Sequence, residues 1–197
     1  MLINPNKIIK SVYQPENSTP YKQVPVSLET ENYKSAFVDD SSIALTKAIG
    51  QLEQGKTTHY YSYGNFNLVR LILHISKQTG PVNVFMTSYS FSPKSIESIN
   101  RQIEIKNFLS FKVIVDNRVR SLSPKPFQMI VQSFDYRCSS IHAKVALLWN
   151  EKWKLSIVTS QNATDNPKME RGVIFTSQEV FDFDIKALTN EYNRGNL

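Results

Sequence analysis

The spacing of apolar side chains along this chain switches repeatedly between the period of a helix and that of a strand, and the switches divide it into elements. After Asp40 or Ser41, either of which suits a helix N-cap, Ile43, Ala44, Ala48, Ile49 and Leu52 follow helical spacing up to Gly55, which predicts a core-facing helix. THYYSYG reads as a short aromatic strand or loop. Asn65 or Asn67 then opens a helix through Leu68, Leu71, Ile72 and Ile75 that stops at Gly80-Pro81. Residues 82–87 are strand-like, Ser92-Pro93 caps a helix with Ile96, Ile99 and Ile103 on one face, and Leu109 to Val115 returns as a strand. Farther on, YRCSSIHAKVALLW and WKLSIVTS are strand-like runs separated by the hairpin signal Asn150-Glu151-Lys152; ERGVIFT is another strand. A last helix runs from about Ser177 to Tyr192, with Val180, Phe181, Ile185 and Leu188 toward the core.

This alternation implies an α/β fold: a mixed, mostly parallel sheet flanked by helices on both faces. Residues 1–38 hold Pro5, Pro15, Pro20 and Pro25 among polar residues without sustained periodicity, and are expected to form an extended N-terminal arm. Residues 39–197 are expected to form one domain. No apolar run approaches the roughly 20 residues of a membrane span, and the start MLINPNKIIK lacks a signal-peptide core, so a cytoplasmic protein without stable membrane association is expected.

Charge adds a partner class. With 23 basic and 17 acidic residues the formal charge is +6, which suits a polyanion such as nucleic acid. Cys138 is the only cysteine, so there is no intrachain disulfide and no thiolate cluster for zinc. No Walker loop, dinucleotide fingerprint or metal-ligand cluster is present, and neither a cofactor nor a metal is expected.

The chemistry concentrates near His142. On a strand, His142 and Lys144 share one face while Ile141, Ala143 and Val145 take the other. A hairpin centred on residue 151 sets His142 opposite Ser160, with Asn162 two positions on and Glu170 at the start of the next strand.

His142-x-Lys144, Ser160-Gln161-Asn162 and Glu170-Arg171-Gly172 together resemble the signature of the phospholipase D superfamily, closely over residues 139–176 and more loosely before them. The resemblance implies a phospholipase-D-like catalytic domain over residues 39–197. Because the motif occurs once, it is most similar to the small nucleases in which two identical subunits share one active site. It further implies a metal-independent phosphodiesterase, a nuclease acting on DNA or RNA, with DNA favoured, and a homodimer.

In that scheme His142 attacks phosphorus to give a phosphohistidine, and the same residue of a second subunit protonates the leaving oxygen. Lys144 and Asn162, with Ser160 assisting, hold the non-bridging oxygens, and Glu170 fixes the tautomer of the histidine. The chain departs from the family pattern at Trp149, where the family has Asp, and at Thr159, where it has Gly. An idle nucleic-acid-binding module and a phospholipid phosphodiesterase are the alternatives. Lys168 and Arg171 beside the motif, and His59, Tyr61 and Asn65 in the aromatic segment, are candidate substrate-binding residues through phosphate steering and base stacking. His74, among Leu and Ile, reads as structural.

Overall fold

A computed structural model describes residues 27–30, 33–38 and 41–197. In chain order the elements are β1 (Ser27–Thr30), β2 (Tyr33–Val38), α1 (Ser41–Ile49), β3 (Thr57–Tyr63), α2 (Leu68–Thr79), β4 (Val82–Ser88), α3 (Pro93–Glu104) and β5 (Phe108–Asp116). They continue as α4 (Val119–Leu122), α5 (Pro124–Ser133), β6 (Asp135–Ser139), β7 (Val145–Trp149), β8 (Lys154–Thr159), β9 (Met169–Phe175) and α6 (Gln178–Arg194). The described strands form one 9-stranded sheet in the order β1-β2-β3-β9-β8-β7-β4-β5-β6.

Successive residues of a strand face opposite sides, and two cores result. Val84 and Met86 of β4 join Val113 and Val115 of β5 under α1, α2, α3 and α5, whereas Phe85, Ile114, Val145 and Leu147 meet Phe181, Leu188 and Tyr192 of α6. Helices therefore lie on both faces, as the sequence pattern implies.

The sheet is mixed, yet its balance differs from the expected mostly parallel one. Parallel pairs join β2 to β3, β4 to β5 and β5 to β6, and the remaining five pairs are antiparallel. The cause is the second half of the chain. After β6 no helix intervenes until α6, so β7, β8 and β9 return through loops too short for a parallel crossover and insert antiparallel between β4 and β3.

Three local differences have similar physical causes. α1 ends at Ile49, short of Gly55, because Gly50 turns left-handed and Gln78 captures the turn: its amide donates to the Gly50 carbonyl and its Oε1 accepts the Leu52 N–H. Ile43 is exposed and Leu45 takes the inward position. The segment Pro124–Ser133, where the pattern predicts no element, is the helix α5, with proline in its first turn where no donor is lost. Within the expected arm, residues 27–30 and 33–38 are strands that extend the sheet, and residues 1–26 lie outside the described residues.

Candidate active site

The candidate catalytic residues lie at one end of the sheet, where β3, β4, β5 and β8 finish and β7 and β9 begin. Carboxyl ends of strands in α/β sheets leave a crevice for ligands. His142 and Lys144, expected on a strand, lie instead in the segment just before β7. Thr87 at the end of β4 explains the interruption, because its hydroxyl donates to the Ala143 carbonyl at 2.8 Å and accepts the Val145 N–H at 3.0 Å. A side chain thus replaces the ladder at its last rung. The expected alternation fails with it: Lys144 is buried, His142 and Ala143 are exposed.

The hairpin register also differs by one residue. Trp149 pairs with Lys154 and Val145 with Val158, and the Thr159 N–H reaches the Lys144 carbonyl at 3.0 Å. Lys144 rather than His142 therefore lies beside the end of β8. The turn is centred between Glu151 and Lys152 because Asn150 Oδ1 accepts the amides of Lys152 and Trp153, both at 2.9 Å. Ser160 turns to β9 instead, donating its N–H to the Arg171 carbonyl and accepting the Arg171 N–H on Oγ, each at 3.0 Å.

Despite the slip, the polar groups meet. Lys144 Nζ lies 3.3 Å from both His142 ring nitrogens and donates to the His142 carbonyl at 2.8 Å. Burial pushes the Lys144 amine below its ordinary value, and the nearby Glu170 carboxylate opposes that shift. Glu170 does not bond the histidine; Ser160 Oγ and Asn166 Nδ2 donate to it. Asn162 Oδ1 accepts the Tyr89 N–H at 3.2 Å and lies 3.5 Å from Ser88 Oγ. Its amide nitrogen donates to none of the described residues. The Asn162 carbonyl accepts the first N–H of α2, from Leu68, at 3.2 Å, so this loop and that helix are held as one piece.

Neither side chain that departs from the family pattern bonds His142 or Lys144. Thr159 is buried, its hydroxyl bonded to Tyr60 at 3.0 Å beneath the sheet end, and Trp149 packs at the far end of β7 with its ring 5.8 Å from Phe181. Gly172 permits that arrangement, since the fully buried Tyr60 ring crosses where its side chain would stand.

The candidate substrate residues are dispersed. Arg171 pairs with Tyr61, on the face of β9 opposite to Glu170; its Nη2 lies 3.2 Å from His59 Nδ1 and its guanidinium 5.8 Å from the Tyr61 ring. His59 is pushed below its ordinary pKa by burial and then by Arg171. Lys168 is exposed in the loop before β9, where its N–H donates to Asn166. Asn67, not Asn65, caps α2. Asn65 is half-buried in the preceding turn. His74 is half-buried on α2, near Gln78.

Sequence reasoning misses Tyr89 and Asp116. The Tyr89 ring lies 5.7 Å from the His142 ring, and the Arg118 guanidinium covers Tyr89 while bonding to buried Asp116. The available signal was positional: Tyr89 follows β4 and Asp116 ends β5, both at carboxyl ends of adjacent parallel strands. Among the described residues no three His, Cys, Asp or Glu side chains gather as a metal-holding group, and no helix is long and apolar enough to cross a membrane.

Solved structures share this architecture. A phospholipase D family member, Nuc from Salmonella typhimurium, superposes with a TM-score of 0.56 at 16% identity, over 72% of this chain and 97% of that one. NucT from Helicobacter pylori gives 0.53 at 11% identity, over 72% and 99%. Polyphosphate kinase from Porphyromonas gingivalis gives 0.54 at 13% identity, over 70% of this chain and 26% of the kinase. No family model and no curated protein sequence matches the chain. The likeness is one of fold, and the chain has the phospholipase-D-like α/β fold.

Proposed function

We propose that this protein is a phosphodiesterase of the phospholipase D type, a metal-independent nuclease that cleaves DNA or RNA through a phosphohistidine in an active site shared by two copies of the chain. One observation carries the reading: Lys144 is held against the His142 imidazole at the sheet end, with the Glu170 carboxylate near enough to act on its amine and Asn162 bonded to the backbone of Tyr89, whose ring lies 5.7 Å from the imidazole. The phospholipase-D-like fold and the charge of +6 support it.

A ring nitrogen of His142 attacks phosphorus; the N–P bond forms as the ester O–P bond breaks. The His142 of a second copy gives its proton to the departing oxygen and then takes one from the water that attacks the phosphohistidine, which restores both rings. The Lys144 cation neutralises charge on the non-bridging oxygens, and the side-chain amide of Asn162 donates a hydrogen bond to them. Glu170 acts indirectly in this scheme. Bonded to Ser160 and Asn166, it supplies negative charge that favours the cationic form of the buried Lys144 against the effect of burial.

The test is cleavage of plasmid DNA and single-stranded RNA in excess EDTA by wild type and His142→Ala. Cleavage by wild type alone is expected; undiminished cleavage by the variant defeats the assignment. Light scattering at micromolar concentration is expected to show a dimer, and a monomer with full activity contradicts the shared site.

A further inference from the structure

Asp116, Arg118 and Tyr89 take part in none of the steps above, yet they form a built unit beside His142. Asp116 ends β5 and is 2% exposed. Its Oδ1 accepts Arg118 Nε at 2.7 Å and the Arg118 N–H at 3.0 Å, and its Oδ2 lies 3.4 Å from Nη2. The backbone N–H of Ile141, in the segment that carries His142, also favours the charged form of this carboxylate. These bonds, that of the Arg118 side chain foremost, hold the carboxyl below its ordinary range despite burial.

The guanidinium is fixed on its other side as well. Its carbon lies 4.7 Å from the centre of the Tyr89 ring, and that ring lies 5.7 Å from the imidazole, so the cation is about 10 Å or less from His142. One edge is bonded and one face is stacked, while Nη1 donates to none of the described residues and the side chain is 61% exposed. An arginine held this way is restrained before any ligand arrives, and its free N–H groups suit the oxygens of a phosphate.

We propose that Arg118 receives a second phosphate, the one next along a polynucleotide from the phosphate at His142. The inference rests on the nuclease reading for the first phosphate and deepens it. A compound with a single phosphodiester leaves Arg118 unused, whereas a nucleic acid strand engages both positions. Asp116 and Tyr89 are positioning residues: they aim the cation and touch no substrate.

Calorimetric binding of thymidine 3′,5′-bisphosphate, thymidine 3′-phosphate and thymidine 5′-phosphate tests this without turnover, with cleavage of plasmid DNA and of single-stranded RNA measured on the same preparations. Wild type is expected to bind the bisphosphate about tenfold more tightly than the better monophosphate, as one charge-assisted phosphate contact provides. Arg118→Ala, its fold checked by circular dichroism, is expected to reduce that preference to about twofold or less, with Arg118→Lys between the two. Equal binding of all three ligands by wild type, or no binding of any, overturns the second-phosphate site, and so does a preference that survives Arg118→Ala. The two readings fail separately. A preference without cleavage rejects the nuclease and keeps the site; cleavage without a preference rejects the site and keeps the nuclease.

Discussion

Gly172 lies in β9 opposite Tyr60 of β3, and a methyl group there meets the tyrosine ring almost head-on. A Cβ at Gly172 stands 2.3 Å from both Cζ and Oη of Tyr60 and 2.6 Å from Cε1, against 3.4–4 Å for ordinary contact. The ring must retreat by about 1 Å within a fully buried site, a core overpacking that costs roughly 1–3 kcal/mol. Retreat also pulls the hydroxyl from Thr159 at 3.0 Å and Gln161 Oε1 at 2.9 Å, and buried polar groups left unpaired add about 1–3 kcal/mol. Gly172→Ala is therefore expected to destabilise the protein by about 3 kcal/mol, which for a chain of this size lowers Tm by roughly 10 °C. Urea and thermal denaturation measure both. A companion variant isolates the cause. In a Tyr60→Leu background the ring is gone, and the penalty of the added methyl is expected to fall below about 1 kcal/mol. A stability within about 0.5 kcal/mol of wild type, or the same penalty in both backgrounds, refutes the steric reasoning.

Lys144→Met, which keeps the stem and removes the charge, is expected to lower cleavage about 100- to 1000-fold with little change in Tm; less than a tenfold loss argues against its role on the non-bridging oxygens. Only the protonated amine of Lys144 neutralises phosphate. Burial lowers its pKa, so activity is present at lower pH and is lost as pH rises through a value below the 10.5 of an ordinary lysine, and a pH–rate profile locates that limb. Glu170→Gln removes the charge that opposes the shift and is expected to move the limb further toward neutrality; an unmoved limb rejects the coupling. Thr87→Val leaves the buried Val145 N–H and the Ala143 carbonyl without their partner, and a loss of about 2 kcal/mol in denaturation is expected together with slower cleavage, because the segment carrying His142 loosens.

The α/β character, α2, α3, α6 and most core positions were legible from the spacing of apolar residues, because a buried face demands that period whatever surrounds it. The motif was legible for a different reason: His142, Lys144, Asn162 and Glu170 fall close together in the chain, on segments joined by a hairpin.

Tertiary structure decided what no local pattern encodes. A hairpin register depends on which residues close its turn, and here the Asn150 side chain shifts the pairing by one residue and gives Lys144, not His142, the place beside β8. β7 begins late because a hydroxyl from β4, distant in sequence, captures its first N–H. Arg118 and Tyr89 come together only because β4 and β5 are neighbours in the sheet and end side by side. Local spacing fixes which face of an element is apolar, since that follows from the geometry of one strand or one helix. The meeting of side chains far apart in the chain follows from strand order, which only the packing of the whole sheet determines.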